Sequence, residues 1–485
     1  MTFTVQIDWA DNGFGTSGID NVTDLVRGGF AAEFGRDLSA SLAPIISGRG
    51  GMTLDNSDRR FSPRNTASPI YGSIKPARPV KISRTIGGVT YVLFYGHTDD
   101  SPINPDTAAK TASMTMVDAL ADFRGLKIST PLYSGIRSGA AIGYVLDACG
   151  WAGGRDLDYG ATIIPYWWED GVDALEALDK IVRSEGAPAL LTVGTDGSIV
   201  FRDRHHRFTR SASLTSQGTW WGDGPEPSMG VPFLYDEAWK NIINTGLISV
   251  DVRMPQASQV VWSVDSPIVL AASEARTFIA TASDPFTNAQ TPTSGTDYTV
   301  TAGSVTPTLS RTSGASTTIT LTAGGGGAVL SNLQLRAQPV QVIYTVQVTA
   351  SDSTSIADYG SRSYPVELPW CNQYDAQAIL DYAIESHKQP LPIIQARFLI
   401  GTNSTRAAAI LPRNLSDRVT VREDETVLNN SFYVESFSHT AGGTVDHAVT
   451  VGAEMVPPDG TVTGSNIFIV GGGVAHQIGD GVLAR

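Results

Sequence analysis

Apolar and polar residues alternate through most of this chain, and a period of two is what a half-buried β-strand requires. The pattern predicts strands at the opening Met1–Asp8 run with Val5-Gln-Ile-Asp-Trp9, at Pro79–Ile82, at Val89–Tyr95 and at Leu247–Arg253. It returns in Thr317–Thr322, Ile393–Leu399, Arg418–Arg422, Ser431–Phe437 and Ala448–Gly452. Between about 126 and 212 the period changes. Ala140, Ala141, Tyr144, Val145 and Ala148 fall on one helical face, closed by Gly150. A second helix is predicted from Asp173, an N-cap residue, to Arg183, with Leu175, Leu178 and Ile181 or Val182 inward. A hairpin follows, Ala189–Val193 and Ser198–Arg202 about the Asp196-Gly197 tip. A third helix is predicted over Tyr374–Ser386.

Composition agrees with a mainly β chain. Only 17% of the 485 residues are charged, 49 are Gly and 26 are Pro, so turns are frequent and the length suits several domains. With 34 Lys and Arg against 48 Asp and Glu, the formal charge of −14 argues against a general grip on nucleic acid, which needs clustered cations. An acidic wall would instead let DNA slide past without sticking. Cys149 and Cys371 are too few for a disulfide framework or a Cys-rich metal site and read as isolated buried thiols. The N-terminus lacks the charged and apolar regions of a signal peptide, and no run approaches 18 apolar residues, so synthesis and folding in a cytoplasm without a spanning helix are expected.

The most distinctive stretch is Gly51-Met-Thr-Leu-Asp-Asn-Ser-Asp-Arg-Arg-Phe-Ser-Pro-Arg-Asn65, continuing to Ser68-Pro-Ile-Tyr-Gly72 and Arg78-Pro-Val-Lys81. Its chemistry is that of a strand end followed by side chains that bond their own backbone, then an irregular loop anchored by Phe61 and Tyr71. The stretch resembles the N-terminal signature of minor tail proteins from long, non-contractile-tailed phages of actinobacteria, which form the hub where tail tube meets tail tip. Further elements are similar in order: Phe34-Gly-Arg-Asp37, the Asp118–Asp122 turn, the hairpin ending Phe201-Arg-Asp-Arg204, Ser355–Arg362 with its Tyr-Gly, and Leu415-Ser-Asp-Arg-Val419.

The resemblance implies a multidomain, mainly β fold with α+β parts: two β-barrel-like hub domains, an α/β domain and a small β-sandwich-like module. The expected division is 1–125, an N-terminal barrel-like hub domain, and 126–264, an α/β domain with return strands. A Thr- and Ser-rich module at 265–348 precedes a linker and helix at 349–390, a second barrel-like hub domain at 391–457 and a Gly-rich tail at 458–485. In the module, Gly324–Gly327 is read as a turn and Leu333–Arg336 and Pro339–Val342 as separate strands. The tail carries one apolar run, Asn466–Val470, too short to fold alone and expected to add to a partner or neighbouring subunit. The implied role is a structural virion protein at the tail tip, a homotrimeric hub that closes the tube and opens for genome ejection. Its implied partners are the distal tail protein, the tape-measure protein and a central tail fibre or other tip proteins. The rival expectation is a bacterial glycan-binding or cell-wall-hydrolysing β-modular protein.

No catalytic, cofactor-binding or metal-ligating residue is assigned and no cofactor is expected. His205-His206 beside Asp203 and Arg204 is the one pair to consider for a metal, but neighbours on a strand point to opposite faces. The acidic neighbours Asp99-Asp100, Glu169-Asp170 and Glu423-Asp424-Glu425 read as turns or solvated faces, not as the spaced carboxylates of glycoside hydrolysis. Tyr166-Trp167-Trp168 and Trp220-Trp221 could stack on sugars, with core or interface packing as the plainer reading.

Overall fold

The computed structural model describes residues 2–36, 42, 45–442 and 445–457. The expected apolar strand Asn466–Val470 and Asp37 of the Gly-Arg-Asp element lie outside those residues.

The chain begins with β1 (Thr2–Ile7), β2 (Val26–Arg36), β3 (Ile45–Asp55), β4 (Pro79–Ile86), β5 (Val89–Thr98), β6 (Asn104–Asp106) and β7 (Thr111–Val117). Six of them follow one another in the order β1-β4-β5-β7-β3-β2. The residues just before β2 return to β1 through Val22 N to Val5 O (2.9 Å) and Ile7 N to Asp20 O (2.9 Å), which bends the sheet into a barrel. Alternate side chains fill it, among them Trp9, Leu54, Ile82 and Met114. The Asn56–Arg78 loop is irregular and held as expected at Phe61, which is buried against Trp9, whereas Tyr71 is exposed.

A compact α/β unit follows. It holds β8 (Lys127–Ser129), β9 (Tyr133–Arg137), α1 (Ser138–Ala148), β10 (Arg155–Leu157), β11 (Ile163–Trp167), β12 (Asp170–Asp173) and α2 (Ala174–Glu185). It closes with β13 (Leu190–Val193), β14 (Ile199–Arg202) and two single-turn helices, α3 (His206–Thr209) and α4 (Ser211–Leu214). Asp173 caps α2 by accepting from Leu175 N, and the two helices bury Ile142, Val145, Leu178 and Ile181 against Trp167 and Phe201.

The next strands leave that unit. β15 (Thr219–Trp221) and β16 (Gly230–Asp236) join a second barrel, to which they are far from adjacent in sequence. β17 (Thr245–Pro255) leads into a small β-module of β18 (Gln259–Val264), β19 (Ile268–Leu270), β20 (Ala275–Thr281), β21 (Phe286–Gln290), β22 (Thr299–Arg311), β23 (Ser316–Ser331) and β24 (Leu333–Ser351). Phe286, Ile319, Leu321 and Leu330 form its own core.

Two local expectations are corrected here. Gly324–Gly327 is not a turn but part of β23. It lies where β22 bulges at Gly303/Val305, and a Cβ on Gly327 would stand 2.8 Å from Leu270 O, so these positions let three strands approach closely. Leu333–Val342 is not two strands either, because β24 runs through Pro339. There the strand changes partner from β18 to β17, so the missing proline N–H interrupts no ladder that continues.

After α5 (Ser353–Tyr359) and α6 (Gln373–His387) come β25 (Ile393–Leu399), α7 (Ser404–Ile410), β26 (Arg418–Glu423), β27 (Leu428–Gly442) and β28 (Val445–Met455). The second barrel is ordered β27-β28-β25-β16 on one side and β27-β26-β15 on the other. Met229 N to Trp221 O (2.7 Å) brings its two ends together. Its core contains Trp220, Phe398, Val421, Phe432 and Val451.

The two barrels are parts of one 13-stranded sheet, because β2 of the first pairs antiparallel with β27 of the second from Phe30↔Ala441 to Gly35↔Ser436. Among the described residues no helix is long and apolar enough to cross a membrane.

Candidate functional site

The junction of the two barrels and the α/β unit concentrates the buried charge of this protein. β2 delivers Arg36, β27 delivers Glu435, and the turn α3 delivers Arg207. Arg207 bonds Glu435 directly, and Arg36 Nε stands 3.7 Å from the other carboxylate oxygen. All three side chains are less than a tenth exposed. Arg36 also donates to the carbonyl of Pro188 (2.7 Å) and to that of Ala189, which ties the first barrel to the α/β unit. The Arg207 guanidinium lies 4.3 Å from the Tyr433 ring centre and 3.3 Å from Ser416 Oγ.

β2 approaches this node closely because Gly35 adopts φ +116°, where a Cβ would stand 2.3 Å from Glu435 O. Glu435 itself is turned inward beside a bulge between Val434 and Ser436, which breaks the alternation of β27.

The electrostatics follow from the geometry. Burial opposes the charge on Arg207, and the Glu435 carboxylate more than restores it, so its pKa is held above the ordinary value. For Arg36 burial dominates and the pKa falls, because its contact with Glu435 is longer. Burial, with Arg207 beside it, holds His206 far below the normal imidazole range, and its Nδ1 lies 2.6 Å from Asp203 O. Burial and then Arg204 bring His205 down to about 4. Both imidazoles are therefore neutral near pH 7. They sit at the start of a helical turn, not on a strand as the sequence reading supposed, and among the described residues no group of three or more His, Cys, Asp or Glu is placed to hold a metal ion.

A second node lies within reach. Glu185, fully buried at the end of α2, accepts from Ser138 Oγ (2.6 Å), Ala161 N (2.9 Å), Thr162 N (2.9 Å) and Arg204 N (3.1 Å). Arg204 extends to Asp375 at 2.6 Å, the first acid of α6, so the α/β unit is clamped to that helix. Between the first barrel, the β13–β14 hairpin and the Leu411–Asp417 loop of the second barrel lies a cleft of about 660 Å3, lined by Phe34, Tyr95, Arg202, Arg210, Arg413 and Asp417 among others. Its arginines are paired: Arg202 and Arg210 with Asp158, Arg413 with Asp417 at 3.6 Å.

The remaining sequence candidates scatter. Trp167 and Trp220 are buried in two different cores. Trp168 packs edge-on to Trp370 and under Arg253, while Trp221 lies beneath Arg422. Glu169 is buried and its carboxyl is pushed up to about 7 by desolvation, whereas Asp170 beside it is exposed. Glu423 accepts from Glu425 N and Thr426 N as the anchor of a turn. Cys371 is buried and its thiol is pushed up by burial, and Cys149 is half-buried; both are free.

Sequence reasoning did not single out Arg36, Arg207, Glu435, Glu185 or Asp375 as a set. The available signal was a charge inside an apolar run, as in Ser431-Phe-Tyr-Val-Glu-Ser-Phe437. Chemically the two nodes are built to hold elements at fixed positions, with each charged group facing an opposite one.

No protein-family model and no curated protein matches this sequence. Among solved structures the chain is similar to the prophage MuSo2 43 kDa tail protein from Shewanella oneidensis, at 12% identity and a TM-score of 0.49 over 94% of this chain and 98% of that one. It is similar to a tail protein from Neisseria meningitidis MC58, at 10% identity and 0.49 over 93% and 95%. It is also similar to the E. coli c3393 protein, described as a component of the type VI secretion system, at 8% identity and 0.40 over 94% and 77%.

Proposed function

We propose that this chain is a structural tail protein that forms the tail-tip hub of a long, non-contractile-tailed phage of actinobacteria. Three copies assemble into a ring, the distal tail protein and tape-measure protein lie above it, and a central fibre or other tip proteins lie below. The ring closes the tube until genome ejection. The virion tail tip is its place of action after synthesis in the host cytoplasm.

One observation carries the reading: two barrels of the same chain stand side by side, fused through β2 and β27 into a single sheet. A chain that repeats a barrel twice lets three-fold symmetry meet a six-fold tube. The ordered resemblances from Phe34 to Val419 agree with it. The glycan-binding rival loses two of its aromatic platforms, since Trp167 and Trp220 are interior.

Cryo-electron microscopy of purified tails is the test. Three copies per tip with six barrels around the axis are expected, and six copies, or one, would overturn the symmetry argument.

A further inference from the structure

Val427 combines two features for which the single chain has no use. It stands in the turn between β26 and β27 with φ +55°, and among the described residues it is the only β-branched one in the left-handed region. That region is costly for a side chain branched at Cβ, and turns normally give such a position to Gly or Asn. Val427 is also the most open large apolar side chain among the described residues, at 86% exposure. It is left in water, so no packing within the chain offsets the strain.

The turn that carries it is firmly built. Glu423 accepts from Glu425 N (3.1 Å), Thr426 N (2.7 Å) and Thr426 Oγ1, and Val427 N donates to Asp424 O (3.3 Å). A side chain held out in a fixed turn loses little freedom on contact, which suits an anchor for another surface. Asp424 and Glu425 beside it are exposed, so the knob is an apolar tip flanked by negative charge.

The cleft of about 660 Å3 is its complement. Phe34, Leu411 and Leu415 give it apolar wall, and Arg210 adds positive charge. Arg210 is 43% exposed and its described ion pair runs from Nη2 to Asp158, so the guanidinium has further donors for a second carboxylate. The acids Asp156 and Asp417 of the cleft already face Arg202 and Arg413. Leu411–Asp417, which line the cleft, come just before β26, and the turn comes just after it. The six residues of β26 span about 20 Å at roughly 3.4 Å each, so knob and cleft sit at opposite ends of one strand and do not meet within a chain. Between copies they meet head to tail, the kind of contact that closes a ring.

We propose that Val427 of one copy seats in the cleft of the next, with Asp424 and Glu425 turned towards Arg210. The proposal rests on the ring reading for its partner, a second copy. Sedimentation velocity of the purified full chain over a concentration series is the test. Val427→Gly removes the side chain and relieves the backbone, so Tm should hold or rise while the concentration for half-assembly rises at least about tenfold. Arg210→Gln should weaken assembly as well, and so should Asp424→Asn/Glu425→Gln, but combining them should weaken it no further. Unchanged assembly of Val427→Gly overturns the proposal, and so does a chain that stays monomeric throughout. A fall in Tm overturns it by giving Val427 a role inside the fold, and additive charge effects overturn it by separating the knob from the cleft. The copy number in the tip, counted by cryo-electron microscopy, judges the ring reading separately: three copies together with an unaffected Val427→Gly chain would keep the ring and remove this contact.

Discussion

Replacing Glu435 by glutamine should be among the most damaging single changes that leave side-chain volume intact. The carboxylate is 4% exposed and serves two guanidinium groups that are 5% and 7% exposed. At the 3.7 Å separation of Arg36 from Glu435, a charge pair in an effective dielectric of 20 is worth about 4 kcal/mol, and the direct bond to Arg207 adds a comparable attraction. Desolvation of three ions cancels much of this in the native protein, so the node itself is not a large net stabiliser. Removing only the anion leaves two buried cations facing each other, and the cost of such a loss is about 3–5 kcal/mol. For a cooperative unit of 150–250 residues this corresponds to a fall of roughly 6–20 °C in Tm. Differential scanning calorimetry of the full chain should show the barrel transition move by that amount. The small module, with its separate core, should melt where it did before. Because the ions are buried, the shift should persist in 1 M salt. A loss under about 1 kcal/mol would refute the reasoning, and so would a loss that salt abolishes.

Gly314→Val should loosen the module from the body, since a Cβ there would stand 2.5 Å from Trp168 Cβ, and Trp168→Ala should do so by about 1–2 kcal/mol through loss of its seat on Gly314 and of the Arg253 contact. Spin-label distances between module and body should broaden in both variants, and unchanged distributions would mean that the β17–β24 ribbon alone fixes the module. Glu169→Gln should stabilise the protein at pH 8 by up to about 3 kcal/mol and leave it unchanged at pH 4. The folded carboxyl keeps its proton up to about 7 while the unfolded one ionises near 4.5, so stability falls as pH rises between those values, and denaturant titrations at both pH values read the difference. Zymography on host peptidoglycan should show no clearing; a cleared band that disappears when Glu169-Asp170 or Glu423–Glu425 is neutralised would restore the hydrolase reading.

What the sequence revealed was local. Alternation located β1, β4, β5, β17, part of β23 and β25 to β28, and Asp173 with the Leu175, Leu178 and Ile181 spacing located α2 because capping and burial act within a few residues. The Asp196-Gly197 tip closed β13 onto β14 for the same reason. What stayed hidden depends on partners chosen from far along the chain. Nothing near Thr219–Asp236 says that these strands complete the barrel built from β25 to β28, because edge choice leaves no periodic trace. Pro339 reads as a break until β24 is seen exchanging β18 for β17 at that point. The nodes were hidden likewise: Arg36 and Glu435 lie 399 positions apart, and although Glu435 stands out as a charge inside an apolar run, nothing near it names its partners.

The same contrast separates the rigid part of the molecule from the part that can move. Between the barrels there are paired strands, a buried carboxylate shared by two arginines and backbone carbonyls bound by Arg36, all of which must fail together for the barrels to part. Between barrels and module there are two strands and the seat of Trp168 against Gly314. Local opening is easiest where few buried contacts cross a boundary, so the ribbon is where this fold can yield while the double barrel stays intact. That division coincides with the change of strand partner at Pro339. The mechanical consequence is specific: strain applied to the module should open the ribbon from Val340 towards Ser351 before it disturbs the pairing of Phe30 with Ala441.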